Sequence, residues 1–219
     1  MASLTIENYV KAIYQLTLAE PEAAASTGAI ASVLQVSPSS VTSMLKTLHE
    51  QGIADHRRYE GVRLTEKGVK LALRVLRRHR LVELFLVRTL NFSWDEVHAE
   101  AENMEHAVSD LLVDRIDSFL GFPACDPHGD PIPRADGSHS VSPGVPLLQC
   151  QAGSTCHLHR VLDQKPEFLR FLSDSQLEIG CQLAILQNDS VAGTITVQVA
   201  EQRTILGYEA ARQIMVELV

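Results

Sequence analysis

Cysteine is scarce in this 219-residue chain. The four that occur, Cys125, Cys150, Cys156 and Cys181, form no CxxC pair, which argues against a disulfide scaffold or a structural zinc. Long apolar runs are missing as well: none approaches the roughly 18 residues of a membrane span. The first twenty residues, MASLTIENYVKAIYQLTLAE, lack the basic start and apolar block of an export signal. A cytoplasmic protein with no membrane partner is expected. Positive charge is in deficit, with 19 Lys and Arg against 27 Asp and Glu and a formal net charge of -8, so the overall balance does not advertise a nucleic-acid binder. Neither HExxH nor a GxSxG elbow is present. A di-metal carboxylate enzyme would use Glu-x-x-His pairs on a four-helix bundle, and Glu102-x-x-Glu105-His106 does not match. No internal repeat or low-complexity segment appears.

What is present is enough apolar sequence, 45% of residues, for one large domain or two smaller ones with real cores. Proline marks the main boundary. Six of the nine fall between 123 and 146, in GFPACDPHGDPIPRADGSHSVSPGVP, and with the interspersed Gly and Ser they read as a linker. Before it the periodicity is mostly helical. After it, LEIGCQLAIL and TITVQVAEQRTILG carry the β-branched residues and glycine punctuation of short strands. Residues 1–70 are expected to be a winged helix-turn-helix, 71–122 a helical region, 123–145 a Pro/Gly-rich linker and 146–219 a small β-rich module.

The N-terminal part supports the first of these assignments. Leu4, Ile6, Tyr9, Val10, Ile13, Leu16 and Leu18 recur at near-helical intervals. Ser26 or Thr27 caps a short second helix through AIASVL. Ser37 is an N-cap and Pro38 suits the first helical position, so SSVTSMLKTLHEQ is a third helix ending at Gly52. Two extended pieces around Gly61 follow, and Thr65 begins a long helix. Two helices across a tight turn, then a hairpin, describe a DNA-reading module. Ser37, Pro38, Ser39, Ser40, Thr42, Ser43 and Lys46 form its outer face, with Arg57 and Arg58 in the wing; short hydroxyl side chains approach base edges closely, and the cations meet phosphates. A solvated helical hairpin is the bland alternative. Residues 1–70 carry seven Lys or Arg and seven Asp or Glu, so phosphate contacts alone give modest affinity.

Charge then becomes lopsided. Residues 95–117 hold eight Asp or Glu against Arg115 alone, a field attractive to cations. Within it lies HAEAENMEH, residues 98–106. On a helix His98, Glu102, Glu105 and His106 occupy one arc of roughly 100°, beside the apolar face of Ala101, Met104, Val108, Leu111 and Leu112. Ser93 and Glu96 make a capping-box pattern ahead of it. In RRHRLVELF the long helix offers His79 and Glu83 at i and i+4. Antiparallel packing of the two helices would gather His79, Glu83 and His98, three ligands suited to a divalent ion. A solvated polar face is the alternative for each helix taken alone. Cys150, Cys156, His157 and His159 are read mainly as strand positions, because CHLH alternates in and out.

These segments together resemble the diphtheria-toxin-repressor family of metal-dependent transcription regulators, particularly its manganese-responsive members. ENYVKAIYQL, VSPSSVTSMLKTL, GVRLTEKG, RRHRLVELFL, the H-x3-E-x2-EH pattern of 98–106 and CDPHGDPIP carry the resemblance over nearly the whole chain. It implies a winged helix, a helical metal-binding and dimerisation region, and an SH3-like barrel over 146–219. It also implies an ancillary metal site at His79, Glu83 and His98, completed by Asp163 from the C-terminal module with Gln164 behind it. A primary site would use Glu102, Glu105 and His106, with Asn8 at the first-helix ligand position. Asn8 and Lys11 depart from the acidic pattern of manganese-type members, which speaks against a binuclear cluster of that type. Oxygen and imidazole donors suit Mn(II) or Fe(II), with Mn(II) favoured and two ions per subunit. The implied function is a homodimeric repressor on a double-stranded, pseudo-palindromic operator. A winged-helix regulator with a non-metal signal, and a pure interaction module, are the competing readings.

Overall fold

The structure is a computed structural model that describes residues 4–19, 23–57, 60–138 and 144–219. Two compact units emerge: Met1–His79 with Pro133–Ser138, and Arg80–Ile132 with the C-terminal stretch through Val219.

In the first unit, α1 (Leu4–Ala19), α2 (Thr27–Leu34) and α3 (Pro38–Glu50) precede the hairpin β1 (Ala54–Arg57) and β2 (Gly61–Leu64). Local chemistry sets these boundaries. Ser26 is extended and its hydroxyl accepts from the Ala29 N–H, capping α2. Ser37 does the same for the Ser40 N–H, with Pro38 in the first turn of α3, where a missing N–H has no cost. Ala25 and Val62 exchange two backbone hydrogen bonds of 3.0 Å, which adds a third short extended piece to the hairpin. Gly61 makes this approach possible: at φ +90° a Cβ would stand 2.8 Å from the Ala25 carbonyl oxygen. Val10, Ile13, Ile30, Val41, Leu45, Leu48 and Val62 are fully buried and bind helices to hairpin. Thr65 caps the long helix α4 (Glu66–Leu90), its hydroxyl accepting from the Gly68 N–H and donating to the Gly52 carbonyl.

The second unit takes the later turns of α4, then α5 (Val97–Met104) and α6 (Asp110–Phe119). Leu81, Val82, Val97, Ala101, Val113, Ile116 and Ile132 form its helical core. Residues 124–132 close into a tight loop, with Cys125 bridging Pro131 and the Ile132 N–H donating to the Ala124 carbonyl. Beyond it a six-stranded antiparallel sheet has the order β3-β8-β4-β5-β6-β7: β3 is Val145–Pro146, β4 Thr155–Val161, β5 Gln182–Asp189, β6 Thr194–Val199, β7 Gln202–Gly207 and β8 Ile214–Leu218. Two helices, α7 (Pro166–Asp174) and α8 (Tyr208–Arg212), accompany it. Leu147, Leu158, Leu169, Leu172, Leu183, Ile185 and Val197 fill this core. In β4, Cys156 and Leu158 point inward and His157 outward, the period-2 alternation of a half-buried strand.

Candidate metal centre and nucleic-acid face

The face of α3 that the sequence assigns to DNA is free of packing duties. Ser37, Pro38, Ser39, Ser40, Thr42, Ser43 and Lys46 are all exposed, while Val41, Leu45 and Leu48 on the other side are fully buried. The three serines form a hydroxyl cluster at the helix N-terminus, with Ser37 Oγ 2.9 Å from Ser39 Oγ and 2.8 Å from Ser40 Oγ. Lys46 reaches toward Glu50 at 3.8 Å, both well exposed, a pairing weak enough to be exchanged for a phosphate. In the wing, the backbone of Arg57 lies in β1; Arg58 lies outside the described residues.

The His/Glu stripe needs a correction. It is not one helix: α5 ends at Met104, Glu105 follows as its C-cap, and His106 lies in the turn before α6. The helix stops here, because Ser109 caps a separate helix through the Leu112 N–H, and the Ala107 N–H already bonds the Met104 carbonyl in a tighter turn. The capping box upstream keeps one arm, the Ser93 N–H donating to the Glu96 carboxylate at 3.4 Å, and lacks the other. The Ser93 hydroxyl donates to the Glu96 carboxylate at 2.7 Å, leaving Val97 to begin α5 without a side-chain cap.

Side-chain donors nonetheless converge in the second unit. His98 Nδ1 lies 3.2 Å from Glu83 Oε1, and its Nε2 lies 3.7 Å from Glu102 Oε1. Glu83 is 1% exposed and comes from α4, so two helices meet at this point. His106 Nε2 lies 3.1 Å from Glu105 Oε1, and Glu105 is fully buried. His79, also buried, sits one turn before Glu83 on the same face of α4. In the first unit, Asn8 Oδ1 is buried with no hydrogen-bond partner among the described residues. Asp163 stands just after β4, with its carboxylate accepting from the Lys165 N–H and pairing with the Lys165 ammonium; it joins none of the donor groups found among the described residues.

Sequence reasoning missed one group. Glu83, Asp126 and His128 bring three buried donor atoms within 4.8 Å of one another. The imidazole of His128, 0% exposed, donates from Nε2 to the Trp94 carbonyl at 2.8 Å. That bond places a proton on Nε2, so in the neutral ring Nδ1 is the nitrogen that carries the lone pair. Nδ1 makes no hydrogen bond among the described residues and stands 3.9 Å from Glu83 Oε2. An unpartnered buried imidazole nitrogen beside two carboxylates is what a divalent cation would satisfy. Burial, then Asp130, then Glu83 push the Asp126 carboxyl well above its ordinary value, against the pull of Arg80 and of a backbone N–H. The Arg80 guanidinium already faces Asp126 at 3.6 Å, and a divalent ion would add positive charge between the two carboxylates. The signal available in sequence was CDPHGDPIP itself, whose proline and glycine content reads as loop.

Three family models match consecutive parts of the chain: an iron-dependent repressor N-terminal DNA-binding domain over residues 1–62, an iron-dependent repressor metal-binding and dimerisation domain over 65–134, and a FeoA domain over 145–218. A solved structure titled a manganese-dependent transcriptional repressor in complex with manganese superposes with a TM-score of 0.87 at 40% identity, covering 98% of this chain and 100% of that one. The chain belongs to the diphtheria-toxin-repressor family. This regulator is 34% identical to the HTH-type transcriptional regulator MntR of Oceanobacillus iheyensis over 56% of its own length and 81% of that protein. It is 37% identical to the iron-dependent repressor IdeR of Mycobacterium tuberculosis over 59% of its length, but spans only 55% of IdeR. The fold expected from sequence, a winged helix followed by a helical region and an SH3-like β module, is therefore the one observed. The chain is a metal-dependent DNA-binding regulator, of a family of transcription regulators. No helix among the described residues is long and apolar enough to cross a membrane.

Proposed function

We propose that this chain is a Mn(II)-responsive repressor of metal-homeostasis genes, acting in the cytoplasm as a homodimer on a pseudo-palindromic operator. Fe(II) is the second reading, supported by the likeness to IdeR and by the same oxygen and imidazole donors. The observation that carries the proposal is the buried, unpartnered Nδ1 of His128 beside Glu83 and Asp126. One donor set would be Glu102, Glu105, His106 and Asn8; a second would be His79, Glu83 and His98, extended by Asp126 and His128 and, after a side-chain rotation away from Lys165, by Asp163. A divalent ion held there supplies charge compensation for the carboxylates and a crosslink between the elements that bear them.

The chain's own residues do the rest. Leu111, Leu112 and Phe119 on α6, with Phe122 just beyond, are exposed apolar side chains, and a second copy of this chain covering them would set the two reading heads on a two-fold axis. Such symmetry makes the operator a pseudo-palindrome. Coupling of about 1–3 kcal/mol changes DNA affinity roughly 5- to 150-fold, sufficient for a switch.

The test is binding to genomic fragments with Mn(II), anaerobic Fe(II), Zn(II) or a chelator, for wild type and His79→Ala/His98→Ala. Binding with Mn(II) or Fe(II) alone, reduced in the variant, is the expected result. Equal binding in chelator would leave a winged-helix DNA binder with another signal.

A further inference from the structure

The loop bearing Asp126 and His128 is held from both sides by residues that donate nothing to the candidate metal sets. Asp130 is the hub. Its carboxylate pairs with Arg160 at the end of β4, accepts from Gln164 Nε2 at 3.0 Å, and lies 3.4 Å from Arg80 Nη2 on α4. Arg80 in turn donates to the Pro131 carbonyl and faces Asp126 at 3.6 Å. Backbone contacts run along the same seam: the Val161 N–H donates to the His128 carbonyl at 2.9 Å. At Gly129, with φ +85°, a Cβ would come within 2.1 Å of the His159 carbonyl oxygen. The loop lies directly against β4.

A second set of contacts stands beside the first. Trp94 Nε1 donates to Ser173 Oγ at 2.8 Å, Trp94 packs against the β-module core, and Arg170 pairs with Asp95 at 3.6 Å. The Trp94 ring also stacks on His128, with ring centres 6.2 Å apart and an interplanar angle of 14°. The contacts of Asp130, Trp94 and Arg170 use no donor atom of Glu83 or Asp126 and not the Nδ1 of His128, so none of them has to be broken or made when a cation arrives; only the Arg80–Asp126 pair engages a candidate donor.

We propose that Asp130 is a positioning residue: through Arg160 and Gln164 it fastens the SH3-like module to the metal-binding loop, independently of any ion, and so keeps His128 aimed at Glu83. The module is then a fixed buttress of the donor set. Removing the outer partners of a ligand-bearing loop costs metal affinity by about 10- to 100-fold. The metal half of this inference rests on the reading of Glu83, Asp126 and His128 as donors; the docking half does not.

The chain has one tryptophan, and it reports on the seam. In chelator, wild-type Trp94 should show blue-shifted emission and resist acrylamide, whereas Asp130→Asn and Arg160→Met should move both readings toward those of urea-unfolded protein while the thermal transition stays cooperative. Arg160→Lys keeps the charge and should restore the wild-type reading. Mn(II) titration followed by the free-ion electron paramagnetic resonance signal should show one class of sites weakened roughly tenfold or more in Asp130→Asn and recovered in Arg160→Lys. If wild-type Trp94 is as quenchable in chelator as in the unfolded protein, docking depends on metal and the proposal is overturned. If wild type binds Mn(II) and Asp130→Asn binds it equally, Asp130 positions nothing. Absence of Mn(II) binding by wild type, with the Trp94 contrast intact, would instead refute the metal reading while leaving the fastening in place.

Discussion

The DNA-reading face of α3 and the donor groups of the second unit obey opposite rules. On α3 every side chain assigned to DNA is exposed, and Val41, Leu45 and Leu48 behind it are apolar and fully buried. Function and stability are separable there, since the hydroxyl face packs against nothing. In the second unit Glu83, Glu105, Asp126 and His128 are buried, so the groups that would bind a cation are also part of the packing. A change on the reading face should alter affinity and leave the fold. A change among the donors must reckon with both.

The sharpest way to test the first half of that contrast is to move one step inward. Leu48, behind the reading face, is fully buried, and Leu48→Ala should cost about 2–5 kcal/mol of stability by lost burial and a cavity. Urea unfolding should show it, and DNA binding should fall with the folded fraction. Ser43→Ala, a turn away on the outer face, should leave the urea midpoint unmoved.

Glu105→Gln with His106→Gln tests the other half. Metal-dependent operator binding should be lost, a change of roughly 5- to 150-fold. Unlike alanine, the amides keep volume and hydrogen-bonding capacity in a site where Glu105 is fully buried. Metal response retained in a folded double variant would remove these residues from the sensing set. On the reading face, Lys46→Ala should weaken binding about equally across sequences and lower the salt slope by about one, since its present partner Glu50 is an exposed neighbour. Titrating fragments at several salt concentrations gives the slope; an unchanged slope would place Lys46 off the phosphates.

Much of this contrast was legible in the sequence. Ser26 and Ser37 announce helix starts because a hydroxyl before an apolar period has one common use, and the apolar spacing of 30–48 left one face of α3 for DNA. His98 and Glu102 were visible as an i,i+4 pair, and Glu83 as a companion on the preceding helix. Periodicity could not show that the stripe breaks after Met104, because Glu105 and His106 continue the helical arithmetic even though the backbone turns toward the Ser109 cap. Nor could it show Asp126 and His128. Proline and glycine mark a turn-rich stretch without saying whether its turns face water or core, and only the pairing of Cys125 with Pro131 and the docking against β4 bury them.

The smallest expected effect concerns buried groups with no part in either face. Burial, then Cys150, then Cys181 push the Cys156 thiol up to about 12, and burial likewise raises Cys150. Reactivity requires the thiolate, so at pH 8 neither should react with Ellman's reagent until the β module unfolds, while urea should release both. The sign for stability follows. A thiol whose folded value is raised favours its neutral form in the native state, so its contribution is complete below the unfolded value near 9 and declines as pH climbs toward about 12. Urea midpoints of the module should therefore be flat from pH 7 to 8 and fall above pH 9. Rapid labelling of Cys156 in the native protein at pH 8 would mean that this core opens far more often than its packing implies, and would blur the distinction between a module that buttresses the donors and one that merely follows them.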